Sequence, residues 1–182
     1  MFIQTETTPN PASLKFIPGR AVMPDGTAQF GDVEAAKRSP LAERLFGIPG
    51  VTAVFLAHDF VSVTKDGAQD WFQLKPAILG AIMDHYSSGR PVILAPAAAP
   101  GATAEPDSEV VSAIKELIET RVRPAVAQDG GDIIFEDFQE GVVYLQMHGA
   151  CSGCPSSTAT LKAGIENMLR HYIPEVIEVR AI

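Results

Sequence analysis

Gly149-Ala150-Cys151-Ser152-Gly153-Cys154-Pro155 holds both cysteines of the chain, with two residues between them, and the apolar periodicity changes across it. Before it, Val142-Val143-Tyr144-Leu145-Gln146-Met147 alternates with period two, placing Val143, Leu145 and Met147 on one face of a strand. After it, Leu161, Ile165, Met168, Leu169 and Tyr172 fall on one face of a helix that Pro174 ends. The thiols are therefore expected at a strand-to-helix junction. Unpaired N–H groups and the positive dipole end of a helix favour thiolate over thiol, which predicts a pKa below the free value of about 8.5.

Two cysteines cannot saturate a metal centre, since tetrahedral zinc and the common iron-sulfur clusters take about four protein ligands. His58, His85, His148 and His171 are scattered, none at zinc-finger spacing from the pair. The missing ligands come most simply from a second copy, which makes the CxxC half of a centre shared across a symmetric dimer.

Composition narrows the field. A hydrophobic content of 46% with 20% charged residues describes a soluble globular chain, and no apolar run approaches the roughly 20 residues that cross a bilayer. A net charge of -8 argues against nucleic acid, which needs a basic face. Two cysteines make no disulfide framework and read as metal-binding or redox chemistry. The segment Met1-Phe2-Ile3-Gln4-Thr5-Glu6 resembles neither a secretory nor a transit peptide, so the expectation is a cytoplasmic protein.

Along the chain, short strands are expected at Phe2–Glu6 and Leu14–Ile17, separated by Thr8-Pro9-Asn10-Pro11. A short helix follows Ser39-Pro40 and stops at Gly47. A hairpin pairs Val51–Leu56 with Phe60–Thr64 around His58-Asp59. Leu74, Ile78, Ile82 and Tyr86 then mark a helix from Asp70, kinked by Pro76 or starting at Lys75. Residues 1–94 thus read β-β-α-β-β-α. The stretch 95–106 is rich in Ala and Pro and reads as a flexible linker that contributes nothing to a core.

Residues 107–182 form the cysteine domain and carry most of the acidity, with 12 acidic against 6 basic residues, net -6; residues 1–94 hold 9 against 8, net -1. A helix from Ser108 through Val122 is disturbed at Pro124 and closed at Asp129-Gly130-Gly131-Asp132. Strands at Ile133–Phe138, Val142–Met147 and Val176–Ile182 complete a three-stranded sheet under two helices. The fold class is α+β: two small domains, each a sheet packed with two helices.

The run Val122-Arg123-Pro124 through Asp129-Gly130-Gly131-Asp132, then Gly149-Ala150-Cys151-Ser152-Gly153-Cys154-Pro155-Ser156-Ser157-Thr158 with Leu161-Lys162, resembles the C-terminal domain of Nfu-type (NifU-like) iron-sulfur carriers. Thr5-Glu6-Thr7-Thr8-Pro9-Asn10-Pro11 with Leu14-Lys15-Phe16 is similar to the Nfu N-terminal domain. The resemblance implies a [4Fe-4S] cluster held between two subunits by Cys151 and Cys154 of each, received from or built with an upstream assembly scaffold and passed to apo iron-sulfur proteins. It implies a carrier rather than an enzyme, and no nucleic-acid or membrane partner. The start at Met1 fits a bacterial protein within this family. The competing readings of the CxxC are a thiol-disulfide oxidoreductase and a zinc-bridged dimer; Ala150 stands where thioredoxin-like sites usually carry an aromatic.

Other residues invite plainer readings. Asp129-Gly130-Gly131-Asp132 reads as a helix stop rather than a site, His148 as a packed or exposed strand-end residue, and His58 as solvated. Trp71 and Phe72 are expected to be buried helix residues, with a docking surface as the alternative.

Overall fold

The computed structural model of the chain describes residues 1–94, 108–152 and 155–182, the side chains of 155–157 excepted. The expected linker 95–106 lies outside the described residues. The chain divides into two compact units, Met1–Ala98 and Ala99–Ile182.

In the first unit, β1 (Gln4–Thr7), β2 (Ser13–Ile17), β3 (Ala28–Phe30), β4 (Val51–Leu56) and β5 (Val61–Lys65) form one antiparallel sheet in the order β1-β2-β5-β4-β3. Alternation places Leu14, Phe16, Val54, Leu56, Val61 and Val63 on the core face, where all are buried. Helices α1 (Val33–Ala36), α2 (Pro40–Phe46) and α3 (Trp71–Ser88) complete the unit, and Leu41, Leu45, Leu74, Ile78 and Ile82 join the same core. Burying each such side chain is worth about 1.5–3 kcal/mol.

The caps follow the sequence. Ser39 Oγ accepts from Ala42 N–H at 3.1 Å with Pro40 at the first helical position, and Asp70 Oδ1 accepts from Phe72 N–H at 3.2 Å. Gly89, at φ 67°, closes α3 in the left-handed conformation.

The order is β-β-β-α-α-β-β-α, so sequence periodicity missed β3 and α1. Elements of 3 and 4 residues are too short to display a period. Helix α3 does not begin at Lys75; Pro76 is accommodated inside it, near its N-terminal end. Phe72 is 88% exposed, against the expectation of burial, while Trp71 packs partly against the core and donates Nε1–H to the Pro11 carbonyl at 3.0 Å.

In the second unit, β6 (Gly131–Gln139), β7 (Val142–Gly149) and β8 (Glu178–Ala181) give a three-stranded sheet in that order. The β6–β7 hairpin turns at Glu140 and Gly141, both with positive φ (51° and 81°). β8 lies parallel to β7, and α6 (Pro155–Tyr172) is the crossover such a pairing requires.

The opening helix is α4 (Glu109–Leu117), a π-helical turn (Ile118–Val122) and α5 (Arg123–Gln128). The disturbance expected at Pro124 takes this form: Arg123 N–H donates to the Ile118 carbonyl, five residues back, just before the proline that can donate nothing. Ile114, Ile118, Val122, Val126, Ile133, Leu145, Ile165 and Leu169 share one core. Tyr172 and Ile177 stay outside it, at 50% and 65% exposure, and Ile173 and Val176 are buried instead.

Candidate metal centre

β7 enters the cysteine loop through Gly149, whose φ of 67° turns the chain. The N–H and hydroxyl of Ser152 both donate to the Gly149 carbonyl, at 3.1 and 3.0 Å, and Thr158 Oγ1 on α6 donates to the Cys151 carbonyl at 3.0 Å. Ala150 N–H donates to the Gly130 carbonyl at 3.2 Å. These bonds fix the main chain around Cys151 against both α6 and the loop that starts β6. Cys154 lies outside the described residues.

The Cys151 side chain turns inward and is 6% exposed, within the core of the second unit. A Cβ built on Gly131 would stand 2.5 Å from Cys151 Sγ and 2.8 Å from the His148 carbonyl oxygen. No Cβ tolerates such contacts, so the sulfur lies where only glycine can face it. Gly130, at φ 79°, does close the helix as the sequence suggests. The reading of Asp129–Asp132 as a helix stop alone is therefore too narrow. One glycine suffices for the cap, and the second, with no turn to make, was the signal in the sequence that pointed to a close approach.

Burial comes first, with the Asp129 and Asp132 carboxylates adding to it, in pushing the Cys151 thiol up to about 12. This reverses the expectation of a lowered pKa at the helix N-terminus. A sulfur turned into the core beside two carboxylates is held as the neutral thiol.

Asp132 is 4% exposed and gripped by a guanidinium fork: Arg123 Nε and Nη2 donate to its Oδ1 and Oδ2 at 2.8 and 2.9 Å, and Ile133 N–H donates to Oδ1 at 2.8 Å. Arg123 Nη1 also donates to Glu119. The hydrogen bond to Asp132 is the main cause that raises the Arg123 pKa further. Asp132 is buried while Arg123 is partly exposed, so removing the arginine would leave a buried carboxylate without its cation.

The histidines are dispersed. His148 pairs in register with Asp132, sits 2.9 Å from Gln146 Oε1 through Nε2, and has its pKa lowered by burial, so its imidazole is neutral at pH 7. His171 is exposed near the end of α6. His58 and His85 belong to the first unit, His58 exposed as expected and His85 buried. Among the described residues no group of three or more His, Cys, Asp or Glu is placed to hold a metal ion. Also among the described residues, no helix is long and apolar enough to cross a membrane.

Two family models match. "Scaffold protein Nfu/NifU N terminal" covers residues 3–89 and "NifU-like domain" covers residues 114–180. The chain is 56% identical to "NifU-like protein 4, mitochondrial" of Arabidopsis thaliana, with 97% of this chain and 64% of that protein aligned. It is 51% identical to the human "NFU1 iron-sulfur cluster scaffold homolog, mitochondrial", with 100% of this chain and 72% of that protein aligned. A solution NMR structure of a NifU-like protein from Saccharomyces cerevisiae aligns with TM-score 0.47 and 27% identity, covering 51% of this chain and 84% of that one. The plant and human relatives are named as mitochondrial proteins, which overturns the expectation of a bacterial cytoplasmic one.

Proposed function

This chain belongs to the Nfu/NifU-like family of iron-sulfur cluster scaffolds, and from that premise we propose that two copies together carry one [4Fe-4S] cluster on Cys151 and Cys154 of each and hand it to apo iron-sulfur proteins. The cluster is cargo. The observation that carries this reading is a count set against a position: the chain has two cysteines, both fall in the sequence between the end of β7 and the start of α6 in the NifU-like domain, and a cluster takes about four thiolates. Thiolates of one type on a loop suit reversible ligation, since the loop can open without dismantling the sheet beneath it.

The inward Cys151 side chain belongs to the cargo-free protein in this reading, and loading turns it outward. The protein is a carrier rather than a catalyst. The first unit holds no cysteine, and its role is recognition of recipient proteins, raising the local concentration of cargo near its target. Segment 95–106 acts as the tether between this recognition domain, residues 1–94, and the cluster domain, residues 107–182.

Anaerobic reconstitution with iron and sulfide, followed by metal analysis and native mass spectrometry, tests the reading. About two irons and two sulfides per chain in a dimer support it. A monomer that binds no iron but cycles between dithiol and disulfide contradicts it.

A further inference from the structure

The Arg123–Asp132 pair lies beside the cysteine loop, and its carboxylate is almost fully buried. Asp132 is the second residue of β6 and follows directly on Gly131, whose Cα faces the Cys151 sulfur. Asp129 stands at the other end of the same loop, and both carboxylates act on the Cys151 thiol. Of the two, Asp132 is the one that a cation grips among the described residues, through the guanidinium fork at 2.8 and 2.9 Å.

Arg123 reaches it because the π-helical turn Ile118–Val122 ends at Arg123 and Pro124 follows. Such turns re-aim side chains relative to a regular helix and recur at functional sites. A thiolate-bound iron-sulfur cluster is itself an anion, so a buried carboxylate beside its ligand opposes it unless a cation is paired with that carboxylate.

We propose that Arg123 is a positioning residue for the cargo site: it anchors the start of β6, and with it Gly131, against Cys151, and it cancels the Asp132 charge that would otherwise face the bound cluster. This rests on the reading that Cys151 is a cluster ligand. It predicts effects of opposite sign from the two halves of one ion pair, which a purely structural salt bridge does not give. Arg123→Gln removes a positive charge and leaves the Asp132 carboxylate uncancelled, whereas Asp132→Asn removes a negative charge and leaves the guanidinium paired with Glu119 alone.

The test is a redox titration of the reconstituted full-length protein and three variants, Arg123→Gln, Asp132→Asn and the double variant, with folding checked by circular dichroism. The expected order of cluster reduction potential is Asp132→Asn above wild type, the double variant close to wild type, and Arg123→Gln below it, with faster loss of iron to a chelator in Arg123→Gln alone. Should Arg123→Gln fail to fold, the sign of the shift in Asp132→Asn decides the matter. Shifts of the same direction in both single variants, or none, overturn the proposal.

A second readout works on cargo-free protein. The ratio of Cys151 alkylation rates by anionic iodoacetate and neutral iodoacetamide reports the local charge while cancelling accessibility. It should fall in Arg123→Gln and rise in Asp132→Asn. If wild type binds no cluster, the functional reading fails while this ratio still judges the charge relationship; an unchanged ratio across the variants refutes that relationship by itself.

Discussion

Gly131 and Cys151 share one small volume: a Cβ on Gly131 would lie 2.5 Å from the cysteine sulfur. The thiol of the cargo-free protein is therefore seated by the absence of a side chain across the sheet from it, at the point where β6 begins and β7 ends.

Gly131→Ala should destabilise the second unit by about 1–3 kcal/mol, the usual cost of overpacking. The added carbon meets the main-chain oxygen of His148 at 2.8 Å as well as the sulfur, so rotating Cys151 away relieves only part of the clash. Urea unfolding followed by circular dichroism should show a lower midpoint with an unchanged slope. A midpoint equal to wild type would mean that the strand end yields freely.

Cys151 should make the cargo-free protein lose stability in alkali. Its folded thiol keeps its proton to about 12, whereas an unfolded cysteine ionises near 8.5. Between those values the unfolded chain holds fewer protons, so stability is intact below about pH 8.5 and declines as pH rises towards 12. Comparing wild type with Cys151→Ala at pH 8 and pH 10 isolates this contribution from other titrating groups. Equal pH slopes in the two proteins would contradict the buried-thiol account.

His85 sets the acid side in the first unit. It is 1% exposed, its Nε2 has no hydrogen-bond partner, and burial, followed by Arg44 and Arg90, lowers its pKa below 6.5. The unfolded chain takes up this proton first, so the stability that neutral His85 supports is present above pH 6.5 and lost as pH falls below it. His85→Leu should flatten the stability profile between pH 6.5 and 5, as measured by thermal melts across that range. A slope identical to wild type would assign the acid lability to other groups.

The long periodic segments were legible in the sequence. Helix α3 shows a repeat every four residues from Leu74, and β7 shows strict alternation through Met147, because each element buries one face along its whole length. β3 and α1 were not, since three or four residues display no period and are set by the strands and loops around them. At the site, residue type and spacing marked the CxxC as a candidate ligand pair. The inward sulfur did not, because it depends on Gly131 and Asp132, which the register of the β6–β7 hairpin brings beside it from 20 and 19 positions away. Phe72 misled for a related reason: an aromatic in the first turn of a helix counts as core until the neighbouring elements are known to stop short of it.

Residues 107–182 alone should bind cargo as the full chain does but deliver it more slowly to a recipient at low recipient concentration, where a separate recognition domain matters most. Each unit has its own hydrophobic core, which supports testing them apart. Transfer time courses to one apo [4Fe-4S] enzyme, run with full-length and shortened carrier, provide the comparison. Equal rates at every recipient concentration would remove target recognition as the role of the first unit.

The central claim is that two copies complete one site, and native mass spectrometry of the anaerobically reconstituted protein tests it most directly. The account predicts a dimer carrying one [4Fe-4S] cluster, dissociating to monomers when a chelator strips the iron, whereas Cys151→Ser and Cys154→Ser stay folded and monomeric and form no cluster-bearing dimer. A monomer carrying a complete cluster, or a dimer unchanged by removal of all its iron, would contradict it.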